Sequence, residues 1–179
     1  MRTNDVIKVL LNWDRRGRYV YCKQDLAKIL GLTGDAMLNT SLQRLVASGV
    51  LVRAAQGVYV FAHSRNIGAT TIEDVALALR RGEYVFESLE SALSQWGRIS
   101  QIPIDRVTLM TTGRKGEFKT PYGVIEFVHT SSTPLQIISR TIKRPGHTIP
   151  LATEEYALES LKRVGRNLNM VMEKENTHA

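Results

Sequence analysis

Apolar residues recur at helical spacing in three segments of the first fifty residues: 6–13, 24–30 and 33–48. The pattern predicts three short amphipathic helices, with Asn4 and Asp5 as capping residues before the first. A glycine follows each segment, as is common where a helix ends.

The third helical segment passes directly into a predicted β-hairpin. Its strands are the β-like runs 50–53 and 58–61, and its turn is "AQG", residues 55–57. Gly57 supplies the positive φ that such a turn requires. A short extended piece separates the first two helices, so the order is helix, strand, helix, helix, hairpin. That order is typical of a winged helix-turn-helix, which we predict over residues 1–66 with the hairpin as its wing.

The outward face predicted for the third helix suits the major groove of DNA. Its apolar stripe faces inward, and at 100° per residue the opposite face is small or polar and has no acid. That face carries Thr33, Ala36, Thr40, Gln43, Arg44 and Ala47. We predict base contacts from this face and a phosphate or minor-groove contact from Gln56 at the hairpin tip. Basic residues of the region are expected to contact phosphates, which fix register rather than sequence. They are Lys23, Arg53, Arg65, Arg15, Arg16 and Arg18.

Positive charge is concentrated in this first part of the chain. The 179 residues carry a formal net charge of +7, and residues 1–66 hold ten Lys and Arg against four Asp and Glu, a net charge of +6. A basic domain of this kind favours a polyanion such as DNA. Winged helices also serve as protein-interaction modules, and an exposed polar helix face is also typical of a solvated surface. These alternatives stay open.

Three features favour a cytoplasmic protein without membrane contact. No apolar run approaches the roughly 20 residues of a membrane span. The short, amphipathic apolar part of the N-terminus differs from a secretory signal. The single cysteine, Cys22, fits a reducing compartment. No heptad seam or dimer stripe is evident, which favours a monomer that pairs on DNA.

Residues 67–179 predict a second domain, of the α+β class, after a polar linker at 64–74. The predicted helices start at residues 71, 83 and 153, and the predicted strands lie at 105–113, 117–123, 124–130 and 135–142. We expect a small antiparallel or mixed sheet with helices packed on it.

Catalytic and metal-binding motifs are missing from the sequence. The four histidines lack a carboxylate or cysteine partner at metal-ligand spacing. They are His63, His129, His147 and His178. The turn "TTGRKGE" lacks the spacing and the following helix of a phosphate-binding loop. Cys22 has no nearby histidine to activate a thiol. We expect no enzyme, no cofactor and no metal.

A second basic region lies in the predicted sheet. Residues 105–149 hold seven Lys and Arg against three Asp and Glu. Further basic residues end the last helix, where they favour the helix dipole. The set could form a second surface for a polyanion or an acidic partner, or a merely solvated charged face. Its members are Arg114, Lys115, Lys119, Arg140, Lys143, Arg144, Lys162, Arg163 and Arg166.

Several motifs follow one another in a specific order. They are Ser91-Ala92-Leu93 with Gly97, Pro103 with Val107, the hairpin from Gly113 to Tyr122, and the run from Ala152 to Leu158. Together with "RLVASGVLVRAAQGVYVF" near the N-terminus, they resemble the AbiEi family of antitoxins from bacterial type IV toxin–antitoxin systems. The resemblance covers nearly the whole chain.

The resemblance implies two functions. The winged helix would bind inverted repeats in the promoter of its own operon and repress it. The C-terminal domain would oppose a nucleotidyltransferase-like toxin encoded next door, without a stable complex between the two, and could contact RNA. A different class of function remains the alternative: a plain winged-helix transcriptional regulator whose second domain senses a ligand or dimerises.

Overall fold

The chain folds into two compact units, one up to Leu79 and one from Arg80 onward. The computed structural model describes residues 2–101 and 104–173. Each unit combines helices with its own sheet, and the described residues contain seven α-helices. The chain is therefore α+β, as predicted.

The N-terminal unit packs helices around a small antiparallel sheet. Its elements are α1 (Thr3–Asp14), β1 (Val20–Cys22), α2 (Lys23–Leu30), α3 (Asp35–Ala47), β2 (Leu51–Ala55), β3 (Val58–Phe61) and α4 (Thr71–Leu79). The strands are hydrogen-bonded in the order β1-β3-β2. The periodic apolar positions form the core, where Leu10, Leu26 and Leu42 are at most 2% exposed. The predicted order of helices and strands is thus present in this unit.

Two helix starts differ from the predictions. Asn4 and Asp5 lie inside the first turn of α1, so neither is the residue that precedes the helix. Helix α3 begins at Asp35, because Gly34 has a φ of 111°, which a helix does not accommodate. Thr33 therefore lies before the helix and not on its face.

The hairpin turn is shorter than predicted. Ala55 still pairs with Val58, which leaves Gln56 and Gly57 as a two-residue turn. Gly57 has a φ of 75°, as the turn prediction required. The pairing register shifts between Arg53 and Ala55, and the extra residue distorts the strand before the turn.

Helix α4 belongs to the N-terminal unit, although the boundary was expected after residue 66. The Tyr19 hydroxyl donates to the Asp74 carboxylate at 2.6 Å and is hydrogen-bonded to the Thr71 hydroxyl at 3.1 Å. Val75 and Ala76 are fully buried. These contacts join α4 to the first unit, so the units divide after Leu79.

The C-terminal unit is built on a six-stranded mixed sheet. Its elements are β4 (Val85–Glu87), α5 (Leu89–Gln95), β5 (Arg106–Thr111), β6 (Gly116–Thr120), β7 (Gly123–His129), α6 (Pro134–Ser139), β8 (Thr141–Ile142), β9 (Leu151–Ala152), α7 (Glu154–Val164) and a 3₁₀ turn at Leu168–Met170. The strand order is β6-β7-β5-β4-β9-β8, with β5–β7 and β4–β9 parallel. Phe86, Leu93, Tyr156 and Leu161 lie in its core.

The three strands predicted between residues 105 and 130 are confirmed as β5, β6 and β7. The last helix is confirmed as α7. Its cap is the Thr153 hydroxyl, which accepts a hydrogen bond from the backbone N–H of Tyr156.

Two predictions in this unit were wrong. The predicted helix at 83–96 is strand β4 followed by helix α5, with Leu89 at a φ of 55° where one passes into the other. The predicted strand at 135–142 is mostly helix α6. A capping box of Thr133 and Gln136 with Pro134 at the first helical position starts that helix.

No helix among the described residues is long and apolar enough to span a membrane.

Candidate nucleic-acid interface

Helix α3 exposes the face that its sequence pattern predicted. Leu38, Leu42 and Leu45 hold the helix on the core and are at most 4% exposed. The residues predicted on the opposite side of the helix are all exposed: Ala36, Thr40, Gln43, Arg44 and Ala47. Asp35, in the first turn, is the one acid of the helix.

Two exposed residues of α3 were missed. Asn39 is exposed, and Met37 is 57% exposed despite its apolar side chain. Asn39 lies four residues before Gln43, which makes the two side chains neighbours on the helix surface. The helical spacing alone was enough to place Asn39 at the edge of the predicted face.

Lys23 connects the hairpin turn to the start of α3. Its backbone N–H donates to the carbonyl oxygen of Gly57 at 2.9 Å. Its Nζ donates to Asp35 Oδ1 at 3.3 Å. The start of α2, the hairpin turn and the first turn of α3 therefore lie together, and the charge of Lys23 is partly neutralised.

The hairpin presents two of the predicted contact residues to solvent. Arg53 on β2 and Gln56 in the turn are both exposed. Within residues 2–101 and 104–173, no ion pair or hydrogen bond engages the Arg53 guanidinium. Its positive charge is thus available to a ligand.

The remaining basic residues predicted in this unit lie elsewhere. Arg65 follows β3 at the open end of the hairpin, next to Ser64, whose hydroxyl donates to the Asp14 carboxylate. Arg18 forms an ion pair with Asp25 at 3.1 Å. Arg16 lies over the ring of Trp13, 5.4 Å from its centroid. The structure does not bring Arg65 to the hairpin tip.

In the C-terminal unit, ion pairs use several of the predicted basic residues. Arg140 forms an ion pair with Glu159, and its guanidinium lies 4.2 Å from the centre of the Tyr156 ring. Arg163 also reaches Glu159, at 3.3 Å along α7. Arg140 thereby joins the segment before β8 to α7, whereas the Arg163 pair lies within α7.

Arg144 and Arg166 form ion pairs with carboxylates that are buried or half-buried. Arg144 donates to Glu87 at 2.6 Å, and the two side chains are 14% and 9% exposed. Arg166 donates to Glu90 at 2.8 Å and also forms an ion pair with Glu126. Both arginines therefore form ion pairs within the C-terminal unit and contribute to its structure.

The other members of the predicted basic surface remain exposed. They are Arg114, Lys115, Lys119, Lys143 and Lys162. In the described part of the chain, none of the four lysines forms an ion pair. A polyanion would meet these exposed residues and not the whole predicted set.

The sequence from residue 21 to residue 177 matches the model of DUF6088, a family of unknown function. The chain belongs to the DUF6088 family. No curated protein matches the sequence.

A crystal structure of the RV2827C protein from Mycobacterium tuberculosis is similar to this DUF6088 chain. The TM-score is 0.54 and the identity is 17%, over 84% of this chain and 57% of that one. At this identity the likeness concerns the fold alone. The DUF6088 chain spans little more than half the length of the solved protein.

A cavity of about 280 Å³ in the C-terminal unit of this DUF6088 chain is lined by paired charges. Arg166 joins Glu90 to Glu126, and Arg106 donates to Glu126 at 2.9 Å. Burial alone would raise the pKa of Glu90, but hydrogen bonds from Arg166 and Asn167 outweigh it, so the pKa lies below its usual value. Because each guanidinium already faces a carboxylate, the cavity suits an uncharged polar ligand better than a phosphate.

The described residues of the DUF6088 chain contain no cluster of three or more His, Cys, Asp or Glu placed to hold a metal ion. His129 Nδ1 lies 2.9 Å from the Gly113 carbonyl oxygen. Pro103 and His178 lie outside the described residues.

Proposed function

We propose that the N-terminal unit is a winged helix-turn-helix that binds double-stranded DNA. In this proposal α3 lies in the major groove, and the β2–β3 hairpin is the wing, which contacts a phosphate or the minor groove. The observation that carries it is the exposed face of α3, small and polar, which shares one corner of the unit with the hairpin turn through Lys23.

The charge of the unit supports the same function. Residues 1–66 carry a net charge of +6, and Glu73 and Asp74 of α4 reduce the net charge up to Leu79 to +4. Glu73 is only 6% exposed. The exposed basic residues therefore exceed the exposed acids, which favours a polyanion over an uncharged partner.

We further propose that the protein is a cytoplasmic, non-catalytic antitoxin that represses its own operon at inverted repeats. The resemblance to AbiEi antitoxins supports this function. The C-terminal unit would oppose a nucleotidyltransferase-like toxin without a stable complex. Its exposed lysines are the residues from which an RNA contact would be made.

A second candidate function is a transcriptional regulator whose C-terminal unit senses a small molecule. The cavity beside Glu90 and Arg166 favours this candidate, because convergent polar groups line a concave space there. A regulator of this kind would bind DNA in the same way but would not rescue cells from a toxin.

The DNA-binding proposal is tested by the salt dependence of affinity for the DNA upstream of its own gene. Wild-type affinity should fall steeply as salt rises, because bound Lys and Arg release counterions from phosphates. Arg53→Ala should weaken specific and nonspecific binding about equally and reduce the salt slope by about 1. Lys8→Ala removes one charge from the exposed surface of α1, outside the predicted contact residues, and is the matched control. Affinity that does not change with salt would instead support a protein-interaction module.

The antitoxin proposal is tested by growth. The neighbouring toxin gene is expressed alone and then with the full-length protein or with the fragment from residue 80. Rescue by either form supports the antitoxin. Failure of the full-length chain to rescue, with operator binding intact, would leave the transcriptional regulator.

A further inference from the structure

Helix α3 carries two side-chain amides whose hydrogen-bonding groups are unused. Asn39 and Gln43 are exposed and one helical turn apart. No hydrogen bond joins either amide to another residue of the part of the chain that the structure describes. Each amide therefore offers an N–H₂ donor and a carbonyl acceptor side by side to a ligand.

The side chains between and beside them are of a different chemistry. The Thr40 hydroxyl donates to the backbone carbonyl of Ala36 at 3.0 Å, so its proton is already used. Its methyl group remains, together with the methyl group of Ala36 and the 57% exposed side chain of Met37. This part of the helix is therefore an apolar contact surface among polar groups.

The two kinds of group match the two bases of an A·T pair. In the major groove adenine presents the N7 acceptor beside the N6–H₂ donor, which pairs bidentately with an amide. Guanine presents two acceptors, so the amide oxygen would face the guanine O6 without a proton between them. Thymine presents a C5-methyl group, which apolar side chains contact. The chemistry of these side chains thus favours A·T over G·C at the base pairs that they contact.

The spacing of the amides fits neighbouring base pairs. Four residues of an α-helix rise about 6 Å, and base pairs are about 3.4 Å apart along one DNA strand. Asn39 and Gln43 can therefore reach adenines one or two base-pair steps apart. Cytosine is read by a carboxylate, and the one acid of α3, Asp35, is paired with Lys23 at the other end of this face.

We propose that α3 selects adenines in each operator half-site through Asn39 and Gln43, with the thymine methyl groups contacted by Ala36, Met37 and Thr40. This rests on the proposed DNA-binding function and deepens it: Asn39 becomes a specificity-determining residue, and the half-site recognised by α3 contains two adenines at the positions that Asn39 and Gln43 contact.

The test uses the full-length protein and a pool of randomised duplexes. Selection should enrich half-sites with two adenines one or two steps apart. In the selected duplex, 7-deazaadenine then replaces each adenine in turn, which removes the N7 acceptor and keeps the pairing with thymine. Wild-type affinity should fall roughly tenfold at the two adenines that are read.

The variants assign each adenine to its residue. In Asn39→Ala and in Gln43→Ala, one of the two adenines should lose its effect while the other keeps it. Asn12→Ala removes an exposed amide of α1 outside the predicted contact residues; it is the matched control and should keep both effects. Unchanged circular dichroism confirms that these exposed substitutions leave the fold intact.

The outcomes separate this inference from the proposed function. Sequence-specific binding that is indifferent to every 7-deazaadenine, or equally sensitive in the wild type and both α3 variants, would overturn the adenine assignment and leave DNA binding standing. Absence of salt-dependent binding to any duplex in the pool would overturn both.

Discussion

Asp14 holds the segment after the hairpin, although it lies at the end of the first helix. Its carboxylate is 4% exposed and accepts hydrogen bonds from the Ser64 hydroxyl and, at 2.8 Å, from Asn66 Nδ2. The Asn66 amide also donates to the backbone carbonyl of Asp14 at 2.8 Å. The polar run that resembles a linker in the sequence is therefore fixed to α1 at its start.

Asp14→Ala should destabilise the protein by about 2 kcal/mol, because the Ser64 hydroxyl and the Asn66 amide lose their acceptor. Urea denaturation of the full-length chain measures the change. Asn4→Ala is the control: Asn4 is exposed in the first turn of α1 and should change stability by less than about 0.5 kcal/mol. A loss of about 1 kcal/mol in the control would restore Asn4 as a helix cap.

The same carboxylate predicts an acid-sensitive contribution to stability. Burial alone would raise the pKa of Asp14, but hydrogen bonds from Ser64, Asn66 and the Arg65 backbone lower it below the usual value. A depressed folded-state pKa stabilises the protein above the unfolded pKa of about 3.9 and loses that effect as the pH falls through the folded pKa. The stability difference between wild type and Asp14→Asn should therefore be constant near neutral pH and shrink below about pH 4. A difference that grows in acid would contradict the assignment.

At the scale of elements, the buried pair of Glu87 and Arg144 joins β4 to the segment after β8. Residues 57 positions apart meet at 2.6 Å, with the Arg144 side chain 14% exposed. The sequence alone placed Arg144 on a predicted basic surface, whereas in the structure its side chain forms an ion pair inside the unit.

Arg144→Met should destabilise the protein by about 3–5 kcal/mol, because it removes the guanidinium that pairs with the buried Glu87 carboxylate. The double variant Glu87→Gln/Arg144→Met should recover much of that loss. Lys143→Met, at the exposed neighbouring position, is the control and should be nearly neutral. Thermal or urea unfolding measures all three. Equal losses in the single and double variants would show that the pair is not the stabilising contact.

Some helices and strands could be predicted from the sequence pattern, and others could not. The exposed face of α3 from Ala36 to Ala47 follows from a 3.6-residue period, and so does helix α7. The cap of α7 follows from residue type, because Thr153 stands directly before the periodic run. Strand β4 has only three residues, which are too few to show a two-residue period. The spacing of Phe86 and Leu89 therefore predicted a single helix. Thr133, Pro134 and Gln136 are residues typical of a helix start. The apolar residues that follow Pro134 resemble a strand, which is why a strand was predicted there.

Contacts between distant residues could not be predicted in this way. The link from Lys23 to Gly57 and Asp35 depends on strand pairing, which brings the start of α2 to the hairpin turn. The partners of Arg140 and Arg166 lie 19 and 76 residues away in the sequence. Charge counts predicted a basic second surface, but only the fold shows which charges carboxylates neutralise.

At the scale of the whole molecule, the two units differ in how their positive charges are used. In the N-terminal unit Arg53 of the hairpin is exposed without a partner among the described residues. In the C-terminal unit, Arg140, Arg144, Arg163 and Arg166 are paired with carboxylates. We therefore expect the main affinity for DNA to reside in the N-terminal unit.

The most direct test of this account compares the full-length wild type with Gln43→Ala/Arg44→Ala on the DNA upstream of its own gene. The account predicts that specific affinity falls by about tenfold or more, and that affinity for unrelated DNA falls much less, because only base contacts depend on the sequence. Circular dichroism checks that the double variant remains folded. Binding of the double variant to that DNA with wild-type affinity would contradict the assignment of α3 as the helix that reads it.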